Sequence, residues 1–97
     1  MNVGVLRVRF RLPENGSLKD KRRSVKSICA RVGNKFNISV AEIEDLDDRQ
    51  LATLGFACVS NDGRHVNEVL SRVVSFVESI KGDAEILDYE MEILNPF

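Results

Sequence analysis

The sequence predicts an α+β domain, a four-stranded antiparallel sheet carrying two helices on one face, and three observations lead there. Residues 3–12 and 85–94 alternate apolar and polar side chains with period two, as half-buried strands do. Two longer segments, starting at Leu18 and just after Asp62, space their apolar residues three and four apart, as a single buried helical stripe requires. Small clusters of Pro, Asn, Gly and Asp punctuate these segments, and 97 residues leave no room for a linker or a second core.

In the first strand Leu6, Val8, Phe10 and Leu12 share one face, and Arg7, Arg9 and Arg11 share the other. Pro13, Asn15 and Gly16 break it. Ser17 followed by Asp20 resembles a capping box, so a helix is expected from Leu18, with Val25, Ile28, Cys29 and Val32 inward and Gly33–Asn34 as its C-cap. Residues 36–44 read as a second strand whose uneven alternation leaves its inward face open. The acidic stretch from Asp45 to Asp48 turns the chain into a third strand, Leu51 to Ser60. Asn61, Asp62 and Gly63 offer the N-cap of a second helix bearing Val66, Val69, Leu70, Val73, Phe76, Val77 and Ile80, with Gly82 as its stop. In the last strand, Glu85 to Leu94, the alternation sets Leu87, Tyr89, Met91 and Ile93 against Asp88, Glu90 and Glu92.

The resulting order, βαββαβ, is that of a ferredoxin-like split βαβ fold, here one domain over residues 1–97. Its first strand is central and has the last strand as antiparallel neighbour. Arg7, Arg9 and Arg11 are therefore expected beside Asp88, Glu90 and Glu92 on the helix-free face.

Composition narrows the function. With 43% apolar and 30% charged residues the chain is of ordinary globular type. Its longest apolar run, Leu54 to Val59, is far short of the roughly twenty residues of a membrane span. No signal-peptide pattern is visible, so a cytoplasmic protein is expected. The net charge of −1 conceals two unlike halves: residues 1–35 sum to +8 and residues 36–97 to −9. Such asymmetry either pairs internally or shows a basic and an acidic face to partners.

Two basic patterns compete for a functional reading. The arginine stripe of the first strand is explained by its acidic cross-strand neighbours, at about 0.2–1 kcal/mol per pair, and lacks the interleaved aromatics on which single-stranded nucleic acids stack. The first helix is different. Lys19, Arg22, Arg23 and Lys26 recur along the flank of its apolar stripe, thickened by Lys21, and cations near a helix N-terminus oppose the macrodipole. A partner bearing phosphate would account for that choice; a solvated charged face is the competing reading.

Catalytic and metal chemistry find little support. Cys29 and Cys58 lack metal-ligand spacing and read as core thiols, and His65 is a lone residue near a helix start. Glu42, Glu44, Asp45, Asp47 and Asp48 do not follow a calcium-loop pattern, and neither Glu14–Ser17 nor Asn61–Arg64 resembles a phosphate-binding glycine loop. We expect no enzymatic activity, no cofactor and no metal.

Particular strings bring a family into view: Ser17-Leu18-Lys19-Asp20-Lys21-Arg22-Arg23 with Val25-Lys26-Ser27, then Phe36 to Ile43, Leu54-Gly55 and Val59-Ser60-Asn61-Asp62. Together they resemble the YlxP-like family of small bacterial proteins, over nearly the whole chain. That family is functionally uncharacterised, similar in length, and often encoded near genes for transcription termination, translation initiation and ribosome binding. The resemblance implies a ferredoxin-like fold and a role around ribosome assembly or translation, with no catalytic residues to carry over. One departure is Arg49 before Gln50, where the family usually has a tryptophan.

The leading expectation is a non-enzymatic accessory protein that docks on RNA or a ribonucleoprotein through Lys19, Lys21, Arg22, Arg23 and Lys26. The alternative is a self-associating structural or regulatory domain, a homo-oligomer joined through the open sheet face where Val3, Val5 and Leu94 lie. A third, an enzyme related in fold to acylphosphatase, lacks the glycine-rich anion loop after the first strand.

Overall fold

The structure, a computed structural model, describes residues 1–12, 17–80 and 84–97. Its elements are β1 (Asn2–Arg11), α1 (Leu18–Lys35), β2 (Ser39–Glu44), β3 (Leu51–Ser60), α2 (Gly63–Ser79) and β4 (Glu85–Leu94). The strands form one antiparallel sheet in the order β2-β3-β1-β4, the ferredoxin-like arrangement the periodicities predict. The expected turn at Pro13, Asn15 and Gly16, the loop compared with acylphosphatase, and the helix stop at Gly82 lie outside the described residues.

The core lies between the sheet and the helices. Leu6, Val8 and Phe10 of β1, Ala52, Leu54 and Phe56 of β3, Val25, Ile28 and Val32 of α1, and Val66, Leu70, Val73 and Val77 of α2 are buried together. Gly4 sets how closely α2 approaches β1. A Cβ there would run into Val66 Cγ1 and come within 2.7 Å of Leu70 Cδ1. Both helix starts follow their sequence signals: the Ser17 hydroxyl accepts from the Asp20 amide at 3.1 Å, and the Asp62 carboxylate from the Arg64 amide at 2.9 Å. No described helix is long and apolar enough to cross a membrane.

Two boundaries and one register differ from expectation, each for a local reason. Gly33 and Asn34 do not end α1, which runs to Lys35. The Phe36 amide still bonds to Val32 O, the Phe36 ring meets Phe76 edge-on at 5.8 Å, and Lys35 Nζ sits 4.7 Å above the Phe76 ring. These contacts with α2 outweigh the roughly 1 kcal/mol cost of a helical glycine. The second strand starts at Ser39, not residue 36, because Ile38 N turns back onto Phe36 O. In β4 the register shifts between Arg9 and Phe10, so that Asp88 faces Arg9 but Ile86 faces Phe10. The bulge at Leu87 moves Ile86, in place of Leu87, to the core face.

Candidate nucleic-acid interface

Eight Lys and Arg residues of β1 and the first half of α1 do three separate jobs in this fold, and their burial and partners sort them.

The first is structural and corrects an expectation. Lys21, grouped in sequence with the basic face of α1, is fully buried and cannot contact a partner. It falls one turn ahead of Val25, Ile28 and Val32, in the same inward stripe. Its Nζ donates to the Asp45 carbonyl and lies 3.1 Å from Glu42 Oε2, itself a buried oxygen without a hydrogen bond. Glu42 points inward because it lies opposite the buried Leu54, as Val40 lies opposite Phe56, which settles the inward face of β2. Asp45 completes the knot. With φ at 62° it adopts a left-handed backbone that Asp tolerates better than most residues, and its carboxylate accepts from the buried Thr53 hydroxyl at 2.6 Å. One lysine thus ties α1 to the end of β2.

The second group is the ladder on the helix-free face. Arg7 Nη2 lies 3.0 Å from Glu90, Arg9 Nη1 3.3 Å from Asp88, and Arg11 Nη1 3.9 Å from Glu85. Two of the three pairings match expectation. The β4 bulge gives Arg11 to Glu85 in place of Ile86, while Glu92, in the unshifted register, lies opposite Val5. Arg7 also reaches across β3, where its partner is Gly55, to Glu44 on β2 at 3.6 Å. A Cβ at Gly55 would come within 3.1 Å of the Ile43 side chain. Beside this clamp Val5, Ala41, Ile43, Gly55 and Ala57 floor a shallow groove of about 620 Å³.

The third group is Lys19, Arg22, Arg23 and Lys26. All four are exposed, and among the described residues none has a carboxylate oxygen within 4.0 Å. At about 100° per residue Lys19, Arg23 and Lys26 lie on the side of α1 away from the Lys21–Val25–Ile28–Val32 stripe, toward solvent, while Arg22 lies along its flank. Asp20 and Lys35 at the two ends of the helix agree with its dipole, so the excess of cations is concentrated on this outward face.

The remaining chemistry-bearing residues are dispersed. Cys29 and Cys58 are half-buried free thiols against the core. Burial pushes the Cys29 thiol up, with the Glu42 charge adding to it; burial likewise raises Cys58 against an opposing backbone hydrogen bond from Gly4. His65 is exposed on α2. In the β2–β3 turn the amides of Leu51 and Gln50 both donate to Asp48 Oδ1 at 2.7 Å and hold its carboxyl below the usual range. Among the described residues no three His, Cys, Asp or Glu side chains gather as a metal-binding set.

Sequence reasoning passed over two features: the buried role of Lys21, signalled by its register with the apolar stripe, and the aromatic pair Phe36–Phe76 capped by Lys35, whose residues read only as apolar.

The family model described as "Protein of unknown function (DUF503)" matches residues 3–91. A relative from Bacillus subtilis (strain 168), "Uncharacterized protein YlxP", is 44% identical over 64 residues, covering 66% of this chain and 70% of that one. Among solved structures, the de novo designed protein Foldit4 superposes with a TM-score of 0.53 at 14% identity, covering 98% and 99% of the two chains. An amidase of the hydantoinase/carbamoylase family from Burkholderia phymatum gives 0.58 at 11% identity; the match covers 96% of this chain but 28% of the amidase. At such identities these two likenesses concern the fold alone.

Proposed function

This chain belongs to the DUF503 family of proteins of unknown function, its YlxP relative included, and from that premise we propose that it is a non-enzymatic accessory protein that docks on RNA or a ribonucleoprotein through the outward face of α1. The observation that carries this reading is the contrast among its cations. Arg7, Arg9 and Arg11 are consumed by the sheet and Lys21 by the core, while Lys19, Arg22, Arg23 and Lys26 stay exposed without a carboxylate partner among the described residues. Long basic side chains along one helix edge fit a phosphate backbone, and the absence of aromatics between them favours backbone contact over base stacking. A role in ribosome assembly or translation fits a partner rich in structured RNA.

Filter binding to ribosomal RNA at several salt concentrations tests it. Four phosphate contacts give log K a slope of roughly −3 against log salt, at about 0.7–0.9 per contact. Arg22→Glu with Arg23→Glu should abolish binding at moderate salt. Unchanged binding in that variant would remove the site.

The groove on the helix-free face favours a second reading. Val59, Val3 and Leu94 lie side by side at one end of that face, with Val59 65% and Leu94 43% exposed, an apolar row suited to a second copy. Light scattering showing a monomer at tens of micromolar would remove it.

A further inference from the structure

β4 is the last strand of the sheet, and among the described residues no strand pairs with its outer side. Exposed edges invite pairing with other chains, and proteins usually shorten, bend or charge them. β2, at the opposite edge, has six residues and a register break between Glu42 and Glu44. β4 has ten residues, and its bulge at Leu87 leaves residues 88–94 as an uninterrupted stretch.

That stretch carries a two-sided pattern. Asp88, Glu90 and Glu92 stand on the helix-free side, while Tyr89, Met91 and Ile93 stand on the helix side, where Tyr89 is 49% and Ile93 38% exposed. Side chains of a strand point above and below the sheet rather than toward either edge, so strands on both sides of β4 meet the same pattern. On its inner side one such strand is already in place. β1 sets Arg7 and Arg9 against Glu90 and Asp88, and Leu6 and Val8 against Met91 and Tyr89. The chain itself therefore displays what β4 pairs with: an extended segment in which cations alternate with apolar residues.

Charge remains for a second such segment. On the helix-free face the acids of β4 alone, Glu85, Asp88, Glu90 and Glu92, outnumber Arg7, Arg9 and Arg11 beside them. Glu92 faces Val5, and no described cation lies within 4.0 Å of it. The same acids tell against other occupants. A second copy of β4 would bring acid against acid on one face, and a polyanion would be repelled.

We infer that the outer edge of β4 takes up an extended segment of another protein, with Lys or Arg alternating with apolar residues, by strand addition along residues 88–94. Main-chain hydrogen bonds supply the affinity; the acidic row and the Tyr89–Met91–Ile93 side select the pattern. This surface is separate from the outward face of α1, and either can fail without the other.

The probe is an end-blocked synthetic peptide with the sequence of residues 5–12, Val-Leu-Arg-Val-Arg-Phe-Arg-Leu, titrated into labelled protein by NMR. The expected result is sub-millimolar binding that weakens with salt, with shifts and amide-exchange protection centred on residues 88–94. A peptide with its three arginines replaced by glutamate should not bind. Glu92→Lys, which breaks none of the ion pairs seen, should weaken the arginine peptide about threefold or more. No shifts at about 1 mM peptide, equal binding of the glutamate peptide, no effect of Glu92→Lys, or shifts confined to another surface would each overturn the proposal.

Discussion

Lys21 shows how one residue's environment overrules its type. A lysine one turn ahead of Val25 is carried into the core, and its charge is tolerable there because Glu42 and the Asp45 carbonyl meet it. Removing one member of a buried pair leaves the other charged and unpartnered, so Lys21→Ala should cost about 3 kcal/mol in urea denaturation. Replacing both, Lys21→Met with Glu42→Leu, should cost far less, since the desolvation of both charges disappears together. Asp48 gives a pH prediction. Amide hydrogen bonds from Leu51 and Gln50 depress its pKa in the folded state, so its contribution is full above the ordinary carboxylate range and is lost as pH falls through the folded value. Asp48→Asn should accordingly flatten the acid limb of the stability curve, read by denaturation from pH 7 downward. Cys29 and Cys58, both raised chiefly by burial, should label slowly with thiol reagents at neutral pH and faster toward alkaline pH or on unfolding.

At the scale of elements, close approach is what holds the helix layer to the sheet. Gly4 lies under Val66 and Leu70, so Gly4→Ala should push α2 off β1 at a cost of about 1–3 kcal/mol, seen as a lowered denaturation midpoint. The arginine ladder should matter less to stability, because its members are between 38% and 75% exposed; single truncation of Arg9 should cost below about 1 kcal/mol. Most of these elements were readable from periodicity alone, as were the caps at Ser17 and Asp62. What was not readable depends on tertiary contact. The bulge at Leu87 has no composition signal, yet it decides that Glu85, not Ile86, lies opposite Arg11. Glu42 blurred the alternation of β2 because its inward position makes sense only once Lys21 is found beneath it. The same blind spot placed Lys21 among the surface cations, since a run of basic residues reads as one feature until burial divides it.

For the whole molecule, the fold resolves the opposite charges of its two halves unevenly. The sheet joins Arg7, Arg9 and Arg11 to carboxylates from β2 and β4, while the outward face of α1 keeps its surplus of positive charge. A small domain built this way has one cationic helix surface and, on the opposite side of the sheet, a face where acids are in excess. Docking through α1 requires these cations to be unequal by position, and a charge-reversal map against ribosomal RNA measures that directly. Lys19→Glu, Arg22→Glu and Lys26→Glu should each weaken binding several-fold, while Arg9→Glu and Arg11→Glu, matched in charge change, should leave it nearly unaltered. Equal losses at both sets of positions would mean that only net charge matters, and would contradict the assignment of α1 as the docking surface.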